Sequence, residues 1–190
     1  MEPLILTARL DPEAQVHFNQ LRQQYFPPER NYLEAHLTLF HALPQENRTA
    51  IVSNLQDITR CEPLIEATAS KLQSLGRGVA FLIHSPGLAT LRASLANLWH
   101  LNLTPQDRQT PRLHITIQNK VTPDAAKALL NTLAKDFQPR PLTIEGLDLW
   151  RYQNGPWSLL ESFSFEPSNR QFDLLSEAAP DRWRQWVPPT

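Results

Sequence analysis

Apolar residues recur at helical spacing in three stretches, each opened by a capping residue and a proline. Ala14, Phe18 and Leu21 follow Asp11-Pro12. Leu88, Leu91, Leu95 and Leu98 follow Ser85-Pro86, and Ala126, Leu129, Leu130 and Leu133 follow Thr122-Pro123. A side-chain oxygen at the N-cap can accept from a free backbone N–H, and proline at the first helical position needs no N–H partner, so three helices are predicted. Ile51, Val52 and Leu55 predict a fourth, from about 46 to 58, opening near Pro44. Between these lie alternating or continuous apolar runs that predict strands over 4–10, 34–41, 64–72, 79–84, 112–120, 142–152 and 157–165. The last two form a hairpin across Gln153-Asn154-Gly155-Pro156, and residues 74–78 play the same part earlier in the chain.

The pattern is duplicated. His36-Leu37-Thr38-Leu39 returns as His114-Ile115-Thr116-Ile117, 78 residues later. At that same offset Ile51-Val52 falls on Leu129-Leu130, Leu55 on Leu133, Pro63-Leu64 on Pro141-Leu142, and the run 79–82 on 157–160. Each repeat, approximately 34–84 and 112–162, reads as a His-bearing strand, a helix and two strands. Segments 1–30 and 85–105 add a further helix to each half. The expected fold is α+β and bilobal, with two antiparallel-rich sheets facing across a central cleft and helices outside. Residues 1–166 form one domain of two pseudo-symmetric lobes in this reading. The tail 167–190, with Trp183 and Trp186 beside Arg182 and Arg184, packs onto the body.

Composition narrows the partners. A net charge of −1 provides no broad positive field, which argues against long duplex nucleic acid and favours a small ligand held locally. The single Cys61 cannot form an internal disulfide, no Cys/His cluster has zinc spacing, and no 18-residue apolar stretch or signal-like start is present. These features predict a cytoplasmic, monomeric protein with no membrane, metal or cofactor. The sequons at Asn47 and Asn102 then carry no meaning.

In a strand, residues i and i+2 share a face. His36, Thr38 and Phe40 are therefore expected together, as are Arg112, His114, Thr116 and Gln118, each set opposite an apolar face. Two imidazoles and two hydroxyls around one small volume suit phosphodiester cleavage without metal. One neutral imidazole takes a proton from water, one protonated imidazole gives a proton to the departing oxygen, and the hydroxyls donate to phosphate oxygens.

The paired motifs, with Phe26-Pro27-Pro28-Glu29-Arg30-Asn31 before the first and Gln118-Asn119-Lys120 after the second, resemble the 2H phosphoesterase superfamily, the group of the 2′-5′ RNA ligase-like proteins, in a bacterial branch. The resemblance covers roughly residues 1–166. It implies a bilobal fold with a V-shaped cleft and metal-independent action on 2′,3′-cyclic or 2′-5′ phosphodiesters of nucleotides or RNA ends. It also implies catalysis by His36 and His114, phosphate binding by Thr38 and Thr116, and possible 2′-5′ RNA ligation in reverse. The usual family assignment makes His114 the base and His36 the acid. Many relatives carry proline before the second His and a basic residue soon after the motif; here Leu113 precedes it and Gln118-Asn119 intervenes before Lys120.

Phe40, Phe81 and Trp150 are candidates for base stacking, Arg77 and Arg151 for phosphate contacts, and Gln118 for a further substrate contact. His41 has opposite parity to His36 and is expected to face away. His17, His84 and His100 are assigned structural roles. The competing function is an RNA-end or nucleotide-binding module with little turnover, which would favour added Lys or Arg over titratable imidazoles.

Overall fold

The computed structural model describes residues 2–166. The expected tail 167–190 lies outside them. Seven strands and four helices follow in the order β1 (Leu4–Leu10), α1 (Pro12–Tyr25), β2 (Leu37–Leu43), α2 (Arg48–Thr59), β3 (Ile65–Ser74), β4 (Val79–His84), α3 (Pro86–Leu98), β5 (His114–Gln118), α4 (Pro123–Ala134), β6 (Arg140–Tyr152) and β7 (Trp157–Ser164). The fold is α+β, with antiparallel pairing throughout and the helices outside.

Local sequence explains the helix starts. Asp11 accepts from the Ala14 amide at 2.8 Å, Ser85 from Leu88 at 3.3 Å and Thr122 from Ala125 at 3.2 Å, each followed by proline. Each such cap contributes about 1 kcal/mol. The fourth helix has no side-chain cap; a short 3₁₀ turn over Gln45–Asn47 leads into it instead.

The strands run β1-β2-β5-β4-β3-β6-β7, and β6 also pairs with β1. Ile144 of β6 meets Leu10 on one edge and Ile65 on the other. The long β6 therefore joins two sheets: β2-β1-β6-β7 and β5-β4-β3 continuing into the start of β6. Both hairpins expected from the repeat exist, yet β4 sits inside its sheet while β7 pairs with β6 alone. In sheet position β1, next to β2, is the counterpart of β4, next to β5. The duplicated unit is thus strand, helix, His-strand, helix, strand.

Helices α1 and α4 pack on the β3-β4-β5 sheet, and α2 packs on β6 and β7. Trp99, just past α3, meets Phe40 of β2 edge-on at 5.3 Å. Phe18, Phe40, Leu37, Leu39, Ile115 and Ile117 are among the fully buried side chains. Both His-strands thus rest on the core, which holds their other face rigidly toward the cleft.

Candidate active site

Strand register decides what surrounds the two motifs. Leu37 pairs with Ile115, the one ladder position joining β2 to β5. Neighbours in an antiparallel ladder step in opposite directions, so His36 falls opposite Thr116 and Thr38 opposite His114. Leu37 and Ile115 are buried without exposure, and the four flanking polar side chains take the other face.

The two imidazoles are held alike. His36 Nδ1 lies 2.8 Å from the Glu34 carbonyl oxygen, and His114 Nδ1 lies 2.7 Å from the Arg112 carbonyl oxygen. A carbonyl only accepts, so each ring keeps its proton on Nδ1 and, when neutral, presents the Nε2 lone pair. This bond also explains why the strands open at 37 and 114 and not at the expected 34 and 112. Glu34 and Arg112 turn their carbonyls to the imidazoles instead of to a neighbouring strand.

Beyond each Thr the strand bulges. Against β1 the register passes from Thr7–Thr38 to Leu6–Phe40, and against β4 from Ala80–Thr116 to Val79–Gln118. One extra residue, Leu39 or Ile117, enters each His-strand, and an extra residue reverses the facing of all that follow. Phe40 and Gln118, expected beside the imidazoles, are consequently in the core at 0% and 7% exposure. Phe40 packs on Trp99 and beneath the Arg92 guanidinium, 4.4 Å from its centroid. Gln118 has no partner for its Oε1 among the described residues. By the same reversal His41, expected to face away, returns to the His36 face, as does Asn119 in the second strand.

The remaining candidates divide. Trp150 is on the cleft side: it pairs with Ile5, two residues before Thr7 and on the same face, and its Nε1 donates to Thr7 Oγ1 at 2.9 Å. Arg151 pairs with Leu4, a core-facing residue, and so emerges on the helix-covered face. Phe81 pairs with Ile115 and packs between Phe18 and Phe137, also away from the imidazoles. Arg77 is exposed on the β3–β4 turn and donates to the Val121 carbonyl at 3.1 Å.

Other side chains complete the site. Trp157, the first residue of β7, lies with its ring centroid 4.8 Å from that of His36 and 6.2 Å from that of Trp150. A pocket of about 510 Å³ opens beside His36, with Thr7, Tyr32, Glu34, Trp150 and Trp157 in its wall. Burial pushes the His36 imidazole down to about 4. The Glu34 carbonyl opposes this, while repulsion from Arg22 and from protonated His114 and His41 adds to it.

Arg22 is buried on α1. It donates to the carbonyls of Thr116 (2.8 Å) and Leu33 (3.2 Å) and to Asn31 Oδ1 (2.8 Å), binding the segment before His36 to β5. Burial lowers its guanidinium to about 10, which leaves it charged at neutral pH. The sequence held a signal for it: Ala14, Phe18 and Arg22 are four residues apart, placing a cation on the buried stripe. Trp157 carried a weaker one, as the aromatic residue closing the hairpin after Pro156. Among the described residues no cluster of three or more His, Cys, Asp or Glu could hold a metal ion, and no helix is long and apolar enough to cross a membrane.

The α+β fold thus brings the two His-x-Thr strands together at one junction. Residues 10–156 match the family described as the 2′-5′ RNA ligase superfamily, and the chain belongs to it. No curated protein sequence matches the chain. Among solved structures it resembles TT0787 of Thermus thermophilus, at 18% identity and TM-score 0.62, over 87% of this chain and 99% of that one. It also resembles E. coli LigT complexed with 3′-AMP, at 17% identity and TM-score 0.58, over 86% and 98% of the two chains. A crystal structure of a phosphoesterase is similar at 20% identity and TM-score 0.58, over 86% and 98%. At these identities the likeness is one of fold.

Proposed function

We propose that this protein is a metal-independent phosphodiesterase acting on 2′,3′-cyclic phosphates or 2′-5′ phosphodiester bonds of nucleotides or RNA ends. The observation that carries the reading is the Leu37–Ile115 register, which sets each His opposite the other strand's Thr. The fold-mate LigT has been crystallised with 3′-AMP, a nucleoside monophosphate, and with phosphate. The roughly 510 Å³ pocket beside His36 is within the size range of small-ligand sites.

For a 2′,3′-cyclic substrate, a water oxygen forms a bond to phosphorus as one ribose–oxygen bond to phosphorus breaks. One imidazole Nε2 accepts the water proton, and the other imidazolium delivers a proton to the departing ribose oxygen. Thr38 and Thr116 donate to nonbridging oxygens, where negative charge builds in the transition state. The electrostatics favour His36 as the base, the reverse of the usual family assignment, because burial keeps its ring neutral at pH 7. His114 is then the acid. Replacing water by a ribose 5′-hydroxyl gives ligation as the reverse reaction.

The test is incubation of the purified protein with a 2′,3′-cyclic nucleotide, with and without EDTA, while following phosphomonoester formation. Turnover that survives EDTA and falls in His36→Ala and His114→Ala is the expected result. Tight nucleotide binding without turnover would instead identify a binding module, and loss of turnover with EDTA would mean a metal enzyme.

A further inference from the structure

His41 is a third imidazole on the cleft face, put there by the bulge at Leu39. Its surroundings are built to hold it. Asp107, on the loop between α3 and β5, is buried to 1% exposure and accepts from the backbone amides of His41 and Ala42, both at 2.9 Å. A second register irregularity, between Leu4 and Leu6 of β1, lies opposite this pair. The same carboxylate is 3.3 Å from His41 Nδ1. These bonds outweigh burial and hold the Asp107 carboxyl below its usual range. With Nδ1 turned to a carboxylate, which only accepts, the ring carries its proton there and leaves Nε2 outward, on a side chain 46% exposed. Asn119 occupies the equivalent position after the second motif, so one end of the cleft has an imidazole backed by a carboxylate and the other a neutral amide.

The distance gives this asymmetry a meaning. His41 is two strand rises beyond Thr38 once the bulge residue is discounted, about 7 Å along β2. That matches the step from one backbone phosphate to the next in an extended single strand. We propose that His41, oriented by Asp107, binds a second phosphate on the 5′ side of the one held between His36 and His114. The substrate class is thereby a nucleotide or RNA end carrying two phosphates one nucleotide step apart. This rests on the phosphodiesterase reading for the position of the first phosphate.

The experiment compares kcat/KM for nucleoside 2′,3′-cyclic phosphates with and without a 5′-phosphate, and for a dinucleotide ending in the cyclic phosphate. In parallel, Kd is measured for a nucleoside 3′,5′-bisphosphate and the 3′-monophosphate. A charge-assisted hydrogen bond predicts a preference of roughly ten- to a hundredfold for the second phosphate. In kinetics it should be expressed mainly in KM. His41→Gln should erase the preference and His41→Lys should restore it, whereas a merely structural His41 would change all ligands alike and gain nothing from Lys. Preference for the 5′-monoester alone would mark a free nucleotide as the source, and preference for the dinucleotide as well an RNA end. No preference in the native protein, or an unchanged one in His41→Gln, would overturn the assignment. If no cyclic substrate turns over at all, the phosphodiesterase reading fails while the two Kd values still decide the role of His41.

Discussion

Strands β2 and β5 are alike through the first four residues of their motifs and unlike beyond them. Each motif begins with an imidazole bonded to the carbonyl two residues back, each sets its Thr opposite the other's His, and each strand bulges at the next residue. After the bulge, β2 continues with Phe40 in the core and His41 held by Asp107. β5 continues with a buried Gln118 and then Asn119. The surroundings of the imidazoles differ too, since Trp157 covers His36. A similar backbone in the two strands thus carries one His and one Thr from each between two unequal arms.

The sharpest way to break that comparison is kinetic. His36→Ala and His114→Ala should each lose at least about 10²-fold in rate, the general magnitude for a proton-transfer group. A substrate with a far better leaving group needs no acid, so it should largely rescue His114→Ala and leave His36→Ala impaired. The opposite pattern would exchange the roles. With the base already neutral in the free enzyme, the acid limb of kcat/KM should lie near pH 4.

The buried arginines provide the next test. Arg22 donates to the Thr116 carbonyl at one bulge, and Arg92 points to the Leu39 carbonyl at the other and bonds that of Asp107. Replacing either with Met strands buried carbonyls and should lower unfolding stability by about 2–4 kcal/mol in urea titrations. Of these two arginines, Arg22 alone acts on His36. Arg22→Met should therefore move the acid limb to higher pH, and Arg92→Met should leave it in place. Equal movement in both would mean that the limb reports general loosening.

Helix starts, the order of strands along the chain and the shared face of each motif His and its Thr were legible because each rests on local rules: capping, apolar period and strand parity. What was not legible came from single-residue insertions in the ladder. Nothing in Leu39-Phe40 or Ile117-Gln118 announces that Leu39 and Ile117 are bulged. Simple alternation therefore put Phe40 and Gln118 in the cleft and His41 outside it, each on the wrong face. Arg151 and Phe81 depended on register between distant strands, which no short window contains. Trp157 reaches His36 only because β6 carries β7 into the sheet of the first motif.

Stability against pH tests the unequal imidazoles without substrate. The His36 ring has an ordinary value of 6.5 and is pushed down to about 4 in the fold. Between these values the unfolded chain binds a proton that the folded one does not, so stability rises with pH across that window. The contribution is complete above about pH 6.5 and is lost as pH falls through about 4. His36→Asn should flatten the pH dependence of the urea midpoint over this range, measured against the native protein. An unaltered slope would mean that the His36 ring is well hydrated in the folded protein.

The smallest expected effect bears on the bulge itself. Positions 40 and 118 both stand four residues after their motif histidine; one is a packed phenylalanine and the other a glutamine whose Oε1 is buried without a partner. Burying an amide oxygen without a donor costs about 1–3 kcal/mol, and methionine is close in size without that penalty. Gln118→Met should therefore raise stability by about 1 kcal/mol, read as a shift in the urea midpoint, while turnover of a cyclic nucleotide changes little. If position 118 faced the cleft, as plain alternation requires, the same change would leave stability flat and reduce turnover. That result would remove the second bulge, and with it the equivalence between β2 and β5 that returns both His41 and Asn119 to the cleft.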